Sequence, residues 1–144
     1  MNSYQSQKPW HLPILTIDLK KNRLRLYKRI LSLLKDPDYV QFLVNPEKKI
    51  MVVRRGDAID VNAQKVYLTL LTNNRQCWEF YSKDLVEALH ELLYDQKDDQ
   101  TYRIVGRYSE RRNFVQFDFN EAEPITYEPE AVESSCKAEQ TITV

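Results

Sequence analysis

Apolar and polar residues alternate in two short stretches near the start of the chain. The apolar positions of this pattern are Leu15, Ile17, Leu19, Leu24 and Leu26. Alternation with a period of two is typical of strands that bury one face. The polar Lys20-Lys21-Asn22 segment between the two stretches is typical of a turn. The pattern therefore predicts a hairpin in which Leu24 and Leu26 point inward while Arg23 and Arg25 point outward.

At Lys28 the hydrophobic pattern changes to the period of a helix. Its apolar face is formed by Ile30, Leu31, Leu33 and Leu34. Pro37 disfavours helical geometry in the residue before it, so the helix is predicted to end there. Alternating stretches over 39–44 and 50–53 follow, and the turn between them contains Pro46, which suits a type I turn.

A similar order of elements recurs downstream. Strand patterns cover 66–70, 78–81, 102–107 and 114–119. Between the second and third of these, Ser82 is a good N-cap for an amphipathic helix that runs to about Tyr94. The last two stretches are predicted to pair as a hairpin around residues 109–113.

The unit of strand, strand, helix and hairpin thus occurs twice, in residues 14–55 and 64–120. Neither copy could bury its sheet faces alone, so we expect the two to pack into a single α+β domain. A chance recurrence of a common order of elements is the alternative. Residues 1–13 are expected to form a flexible lead-in. Residues 121–144 hold six glutamates against Lys137 alone, and we expect a disordered acidic tail or a segment that wraps a partner.

The charge of the chain is balanced overall but unevenly distributed. Its 144 residues include 21 basic and 21 acidic side chains. Residues 1–56 carry twelve of the basic and four of the acidic ones, a net charge of +8, and the remainder carries −8. Such an asymmetry indicates either a half that faces a polyanion or two halves that attract each other.

Several classes of function are disfavoured by what the sequence lacks. It has two cysteines, Cys77 and Cys136, without metal-ligand spacing, and two glycines, which leaves no Gly-rich phosphate loop. Cys77 is expected to be a buried, unreactive thiol. No catalytic constellation is visible, so we expect no enzyme activity, cofactor or metal. The absence of a long apolar run or a secretory signal favours a cytoplasmic protein outside the membrane.

The most informative polar feature is a basic stretch in the first half. The candidate DNA-binding residues are Lys20, Lys21, Arg23, Arg25, Lys28 and Arg29. They are predicted to lie at a hairpin tip and a helix start, where cations could displace counterions from phosphates. Arginine can also contact phosphate or guanine in a bidentate manner. An ordinary solvated face, or one paired with the acidic half, would show the same pattern.

The segment from Asp18 to Leu26, followed by a short helix and the hairpin VQFLVNPEKKIMVVR, resembles the AbrB-like swapped-hairpin family. Two such units in one chain resemble its MraZ branch. Asn22 stands where the family has a glycine, and Tyr27 stands where it has a proline. The resemblance covers residues 14–55 better than 64–120. By position, Arg23 matches the turn arginine of the family, which implies a role in contacting DNA.

The resemblance implies a swapped-hairpin or double-split-barrel-like fold. It also implies a DNA-binding transcriptional regulator, with DNA as its partner and a homodimer as its assembly. The alternative is a protein–protein interaction module, antitoxin-like or an accessory subunit, that uses the basic face and the acidic tail.

Overall fold

A computed structural model describes residues 12–66, 77–93 and 100–125 of the chain. This part is a mixed α+β structure with ten strands in two antiparallel sheets and two helices. The strands are β1 Ile14–Asp18, β2 Arg23–Tyr27, β3 Tyr39–Asn45, β4 Ile50–Arg55, β5 Ala63–Lys65, β6 Cys77–Tyr81, β7 Thr101–Val105, β8 Arg107–Ser109, β9 Phe114–Asp118 and β10 Glu123–Pro124. The helices are α1 Lys28–Leu33 and α2 Lys83–His90, and a 3₁₀ turn covers Phe119–Glu121.

Each sheet combines strands from both ends of the described chain. The first sheet has the order β10-β7-β1-β2-β6, and we call it sheet A. The second has the order β5-β3-β4-β9-β8, and we call it sheet B. The β1–β2 and β3–β4 hairpins predicted from the alternating pattern are present. The second of these turns is supported by Asn45, whose Oδ1 accepts a hydrogen bond from the Lys48 amide at 3.1 Å.

The main core lies between the two sheets and the helices, and a second, smaller cluster is formed by Ile14, Tyr27 and Cys77. The main core includes Leu24 and Leu26 from β2, Phe42 from β3 and Phe117 from β9, all fully buried. Trp78 and Phe80 of β6 stack with ring centroids 4.6 Å apart. The alternation of apolar residues along each strand places these side chains on the inward faces, as the sequence predicts.

The helices end and begin at identifiable local signals. In α2, Oγ of Ser82 accepts a hydrogen bond from the Leu85 amide at 3.2 Å, which confirms the predicted N-cap, but the helix ends at His90 rather than near Tyr94. In α1, the Lys35 amide donates to the Ser32 carbonyl and the Asp36 amide to the Leu31 carbonyl. This pattern is a Schellman motif. It stops the helix before Pro37.

The predicted final hairpin is confirmed only in part, because residues 107–109 pair with β9 but residues 101–105 do not. Residues 101–105 join sheet A beside β1, and the chain then crosses to sheet B, where β8 pairs with β9. The crossing occurs at Gly106. A Cβ atom there would lie 2.7 Å from both Phe117 Cε2 and Val115 Cγ1, so the close approach requires glycine. The apolar pattern over 102–107 is continuous, so it did not indicate that this stretch contributes to both sheets.

The predicted boundary of the acidic tail is also wrong. Residues 119–121 form the 3₁₀ turn, and β10 adds a short strand to the edge of sheet A, so folded structure continues to residue 125. Two residues of pairing are too short to give a strand pattern in the sequence. The rest of the tail, most of the lead-in and most of the strand predicted over 66–70 lie outside the described residues.

The prediction that Cys77 is a buried, unreactive thiol is confirmed for its burial and wrong for its chemical state. Its side chain is buried, as expected, but it is disulfide-bonded rather than a free thiol. The sequence contains one other cysteine, Cys136, which lies outside the described residues. Wide separation of cysteines along a chain is a weak argument against a disulfide, because loop-closure entropy grows only slowly with length.

Candidate functional site

Arg25, one of the six predicted DNA-binding residues, points away from the core yet is buried. Its side chain is 5% exposed, and its Nε donates a 2.7 Å hydrogen bond to Oε2 of Glu79 on the neighbouring strand β6. The prediction that Arg25 faces solvent is therefore wrong. Period-two alternation assigns a residue to one face of a sheet, but it does not show that this face is open to water.

Arg23 is held by the turn in which it lies. Its Nη2 donates to Oδ2 of Asp18 at 3.0 Å, and the side chains are 13% and 12% exposed. The other Asp18 oxygen accepts hydrogen bonds from the amides of Lys20 and Lys21, both at 3.1 Å. Asn22 completes the turn with a positive φ of 53°. Asp18 thus organises the hairpin tip and compensates the charge of Arg23.

Lys20 and Lys21 are exposed, but their surroundings are partly acidic. A cavity of about 220 Å³ beside the tip is lined by Leu19 and Asn22 from the turn and by Glu87 from α2. Asp84 in α2 and Glu91, directly after it, are also exposed. These carboxylates lower the positive potential that the two lysines could offer to an anion.

Lys28 and Arg29 are exposed at the opposite end of β2. A strand rises about 3.3 Å per residue, so the five residues of β2 place them roughly 16 Å from the hairpin tip. The six predicted residues therefore form two separate groups with buried Arg25 between them. The structure does not bring them together on one ridge.

A different set of cations surrounds the second group. Lys28, Arg29 and Lys35 lie on or just after α1, and its six residues keep them within about 10 Å along the axis. Nη1 of Arg55, at the end of β4, donates to the carbonyls of Leu34 and Lys35 at 3.0 and 3.1 Å. This contact brings the end of β4 to the end of α1.

The loop between β8 and β9 reaches the same place. Asn113 in this loop lines a cavity of about 120 Å³ together with Leu33, Leu34, Lys35 and Arg55. Arg111 and Arg112 precede Asn113 and are exposed. We call this surface the basic face. It consists of Lys28, Arg29, Lys35, Arg55, Arg111 and Arg112.

The lysines and arginines of the basic face differ from four other arginines of the described chain, because those four form ion pairs with carboxylates. In the described part of the chain Arg23, Arg25, Arg103 and Arg107 each form an ion pair with a carboxylate. No member of the basic face forms an ion pair with another described residue, although exposed Asp36, Asp38 and Glu110 lie nearby in sequence. Its charge is therefore available to a ligand.

Sequence reasoning identified two members of the basic face and missed the rest. Lys35 lies on the polar side of the predicted helix, but Arg55 and the pair Arg111-Arg112 come from distant segments. Only the pairing of β4 with β9 brings them together. The two arginine dipeptides, Arg54-Arg55 and Arg111-Arg112, are the only sequence signal that could have indicated them.

The described residues offer neither a metal site nor a membrane span. They contain no group of three or more metal-ligating side chains. None of the helices within these ranges has the length and hydropathy needed to cross a membrane.

Comparison of the chain with protein-family models, with curated proteins and with solved structures gives no match.

Proposed function

We propose that the protein binds DNA as a regulator, and that it does so through the basic face rather than through the hairpin tip. One observation carries the proposal. Six exposed cations from three elements share one surface and have no carboxylate partner among the described residues, whereas Arg23 and Arg25 are both ion-paired. When unpaired cations bind DNA phosphates, they displace the counterions of the phosphates, and no internal ion pair has to be broken first.

The pairing of the sheets supports an internal repeat of the swapped-hairpin kind. In sheet A, β2 pairs with β6, and in sheet B, β4 pairs with β9, each in antiparallel register. These are the strands that occupy equivalent positions in the two sequence copies, 14–55 and 64–120. An antiparallel pair of equivalent strands is what an internal two-fold axis generates. In this proposal the protein is a homodimer, which presents two basic faces to two half-sites.

The first test measures the salt dependence of binding. About five phosphate contacts predict a slope of log K against log salt concentration of roughly −4 to −5 on duplex DNA. Fluorescence anisotropy with a labelled 20-base-pair duplex, between 50 and 200 mM salt, gives this slope. Failure of the wild-type chain to bind duplex DNA at the low-salt end would overturn the proposal.

The second test separates the two groups of cations. Lys28→Glu with Arg29→Glu reverses two charges on the basic face, and Lys20→Glu with Lys21→Glu reverses two at the hairpin tip. All four side chains are exposed, so both double variants should fold. We expect about a 100-fold loss of DNA affinity for the first and less than about threefold for the second. Equal losses would place the DNA elsewhere.

A protein-interaction module is the second candidate, and one observation favours it. Ile59 and Val61 are 91% and 74% exposed in the loop between β4 and β5. The loop is fixed in place, because Nε2 of Gln41 donates to the Val61 carbonyl at 3.1 Å. Exposed apolar side chains on a fixed loop are typical of docking surfaces.

The two candidates respond differently to one double variant. Ile59→Ser with Val61→Ser removes the apolar surface and leaves the basic face intact. DNA affinity should not change if the basic face is the functional site. Retention of a co-purifying protein partner by the wild type, its loss from this variant, and no binding of either to DNA would support the interaction module instead.

A further inference from the structure

Each polar side chain that lines the cavity at the end of α1 offers hydrogen-bond donors, and Asn113 also has an amide oxygen that accepts. The lining side chains are Leu33, Leu34, Lys35, Arg55 and Asn113, with no carboxylate among them. At about 120 Å³ it is several times larger than the roughly 30 Å³ that a water molecule occupies in the liquid. It therefore has room for a tetrahedral oxyanion.

Arg55 has donors left for a ligand. Its Nη1 is used by the carbonyls of Leu34 and Lys35. These carbonyls are the negative end of the α1 dipole, which would otherwise repel an anion. Their contact with the guanidinium compensates that charge. The Nε and Nη2 groups of Arg55 donate to no described residue, and a phosphate oxygen pair is a suitable bidentate acceptor for them.

The backbone around the cavity is held in an unusual conformation. Six non-glycine residues of the described chain have a positive φ, and two of them, Lys35 and Asn113, line the cavity. A third, Asp36, follows Lys35 in the chain and has an exposed side chain. Such conformations favour glycine and cluster at functional sites. At Lys35 this conformation occurs in a lysine whose side chain lines the cavity together with Arg55, so a cation occupies a position where the backbone favours glycine.

We propose that this cavity is a binding site for one phosphate group, held by Lys35 Nζ, the free edge of Arg55 and the side-chain amide of Asn113. The inference rests on the proposed function, because the cavity is part of the basic face. The phosphate would come from the backbone of the bound DNA or from a small phosphorylated molecule, and both offer the same oxygens to these donors.

Two substitutions remove donors without straining the backbone. Lys35→Gly and Asn113→Gly place glycine where φ is 65° and 57°, so both variants should fold at least as well as the wild type. Lys49→Gly is the matched control. Lys49 also has a positive φ of 57°, and the length of β4 separates it from Arg55.

The experiment uses the full chain in two arms. In the first arm, inorganic phosphate is titrated into ¹⁵N-labelled protein. We expect saturable shifts of the Asn113 side-chain amide and the Arg55 Nε–H resonances in the wild type and in Lys49→Gly. The Arg55 Nε–H shift should disappear from both Lys35→Gly and Asn113→Gly, and the Asn113 side-chain amide shift should disappear from Lys35→Gly.

The second arm measures affinity for the 20-base-pair duplex. If the phosphate belongs to the DNA backbone, Lys35→Gly and Asn113→Gly should each weaken binding by about tenfold and Lys49→Gly by less than twofold. If it belongs to a small molecule, the phosphate shifts depend on Lys35 and Asn113 but all three variants bind the duplex alike.

The site proposal is overturned if phosphate causes no saturable shift in the wild type and the three variants also bind DNA equally well. Loss of the proposed function has a different outcome. In that case the wild type binds no duplex at any salt concentration, whatever the phosphate titration shows.

Discussion

Nε of Arg25 in β2 and Oε2 of Glu79 in β6 are 2.7 Å apart, and they form an ion pair whose side chains are only 5% and 14% exposed. The two residues are directly opposite in the antiparallel register of sheet A. Thr16 is opposite Arg25 on the other neighbouring strand, and it is 2% exposed. On the face of sheet A that points away from the core, Thr16, Arg25 and Glu79 therefore form a largely buried row of polar side chains.

Removing one partner of this ion pair should lower the stability of the protein more than removing both. Glu79→Leu leaves the Arg25 guanidinium buried without this carboxylate, and we expect the free energy of unfolding to fall by about 3 kcal/mol. Arg25→Met combined with Glu79→Leu removes both charges and should cost less than about 1 kcal/mol. Urea unfolding of the single and double variants measures both values. A double variant as unstable as Glu79→Leu alone would contradict the expectation.

Gly106 should tolerate no side chain. The crossing from β7 to β8 brings its Cα against Val115 and Phe117, and a methyl group would overlap both at 2.7 Å. We expect Gly106→Ala to lower stability by about 1–3 kcal/mol, because the core must shift to make room.

Gly56→Ala is the control for Gly106→Ala. There the nearest atoms to an added Cβ are Gln41 Cβ at 3.1 Å and Asp60 Oδ2 at 3.2 Å, and φ is not positive. Thermal unfolding followed by circular dichroism compares the two variants. Equal melting temperatures would show that the approach at Gly106 is not tight.

Local pattern was enough to predict the longer elements, but not the short strands β5 and β10 and not how the sheets are assembled. The strands around Leu24 and Phe42, the cap at Ser82 and the end of α1 before Pro37 all depend on neighbours within a few residues. The pairing of β7 with β1, by contrast, joins segments more than eighty residues apart, and no periodicity in either one encodes it.

The same limit applies to the candidate site. Arg25 and Lys28 are both cations of the same basic stretch, and nothing in the local sequence distinguishes them. Arg25 is nevertheless buried against Glu79, whereas Lys28 is exposed. Their difference comes from β6, which is located about fifty residues later. Arg55 and Asn113 meet Lys35 only because β4 pairs with β9.

The disulfide at Cys77 gives a direct test of where the protein functions. Disulfides persist mainly in oxidising compartments, so a disulfide at Cys77 does not agree with the cytoplasmic location that we expected from the sequence. We expect Cys77 in freshly isolated, acid-quenched protein to be alkylated by N-ethylmaleimide only after reduction. Peptide mass spectrometry identifies the modified residue. Alkylation of Cys77 in unreduced, unfolded protein would show a free thiol and would restore the prediction made from the sequence.

The stability of Lys35→Gly provides a test of strain that is independent of any ligand. Lys35 occupies the left-handed position of the Schellman motif that ends α1, with φ at 65°. Glycine is the residue most often found at that position because it has no Cβ to clash with the backbone. We therefore expect Lys35→Gly to raise the free energy of unfolding by about 1 kcal/mol.

Lys35→Ala separates charge from conformation, because it removes the same cation but keeps a Cβ. If strain accounts for the gain, the alanine variant should be no more stable than the wild type in urea unfolding. If relief of repulsion from Arg55 accounts for it instead, both variants should gain equally. A glycine variant less stable than the wild type would contradict the strain at Lys35, and with it the argument that a cation is retained there for a ligand.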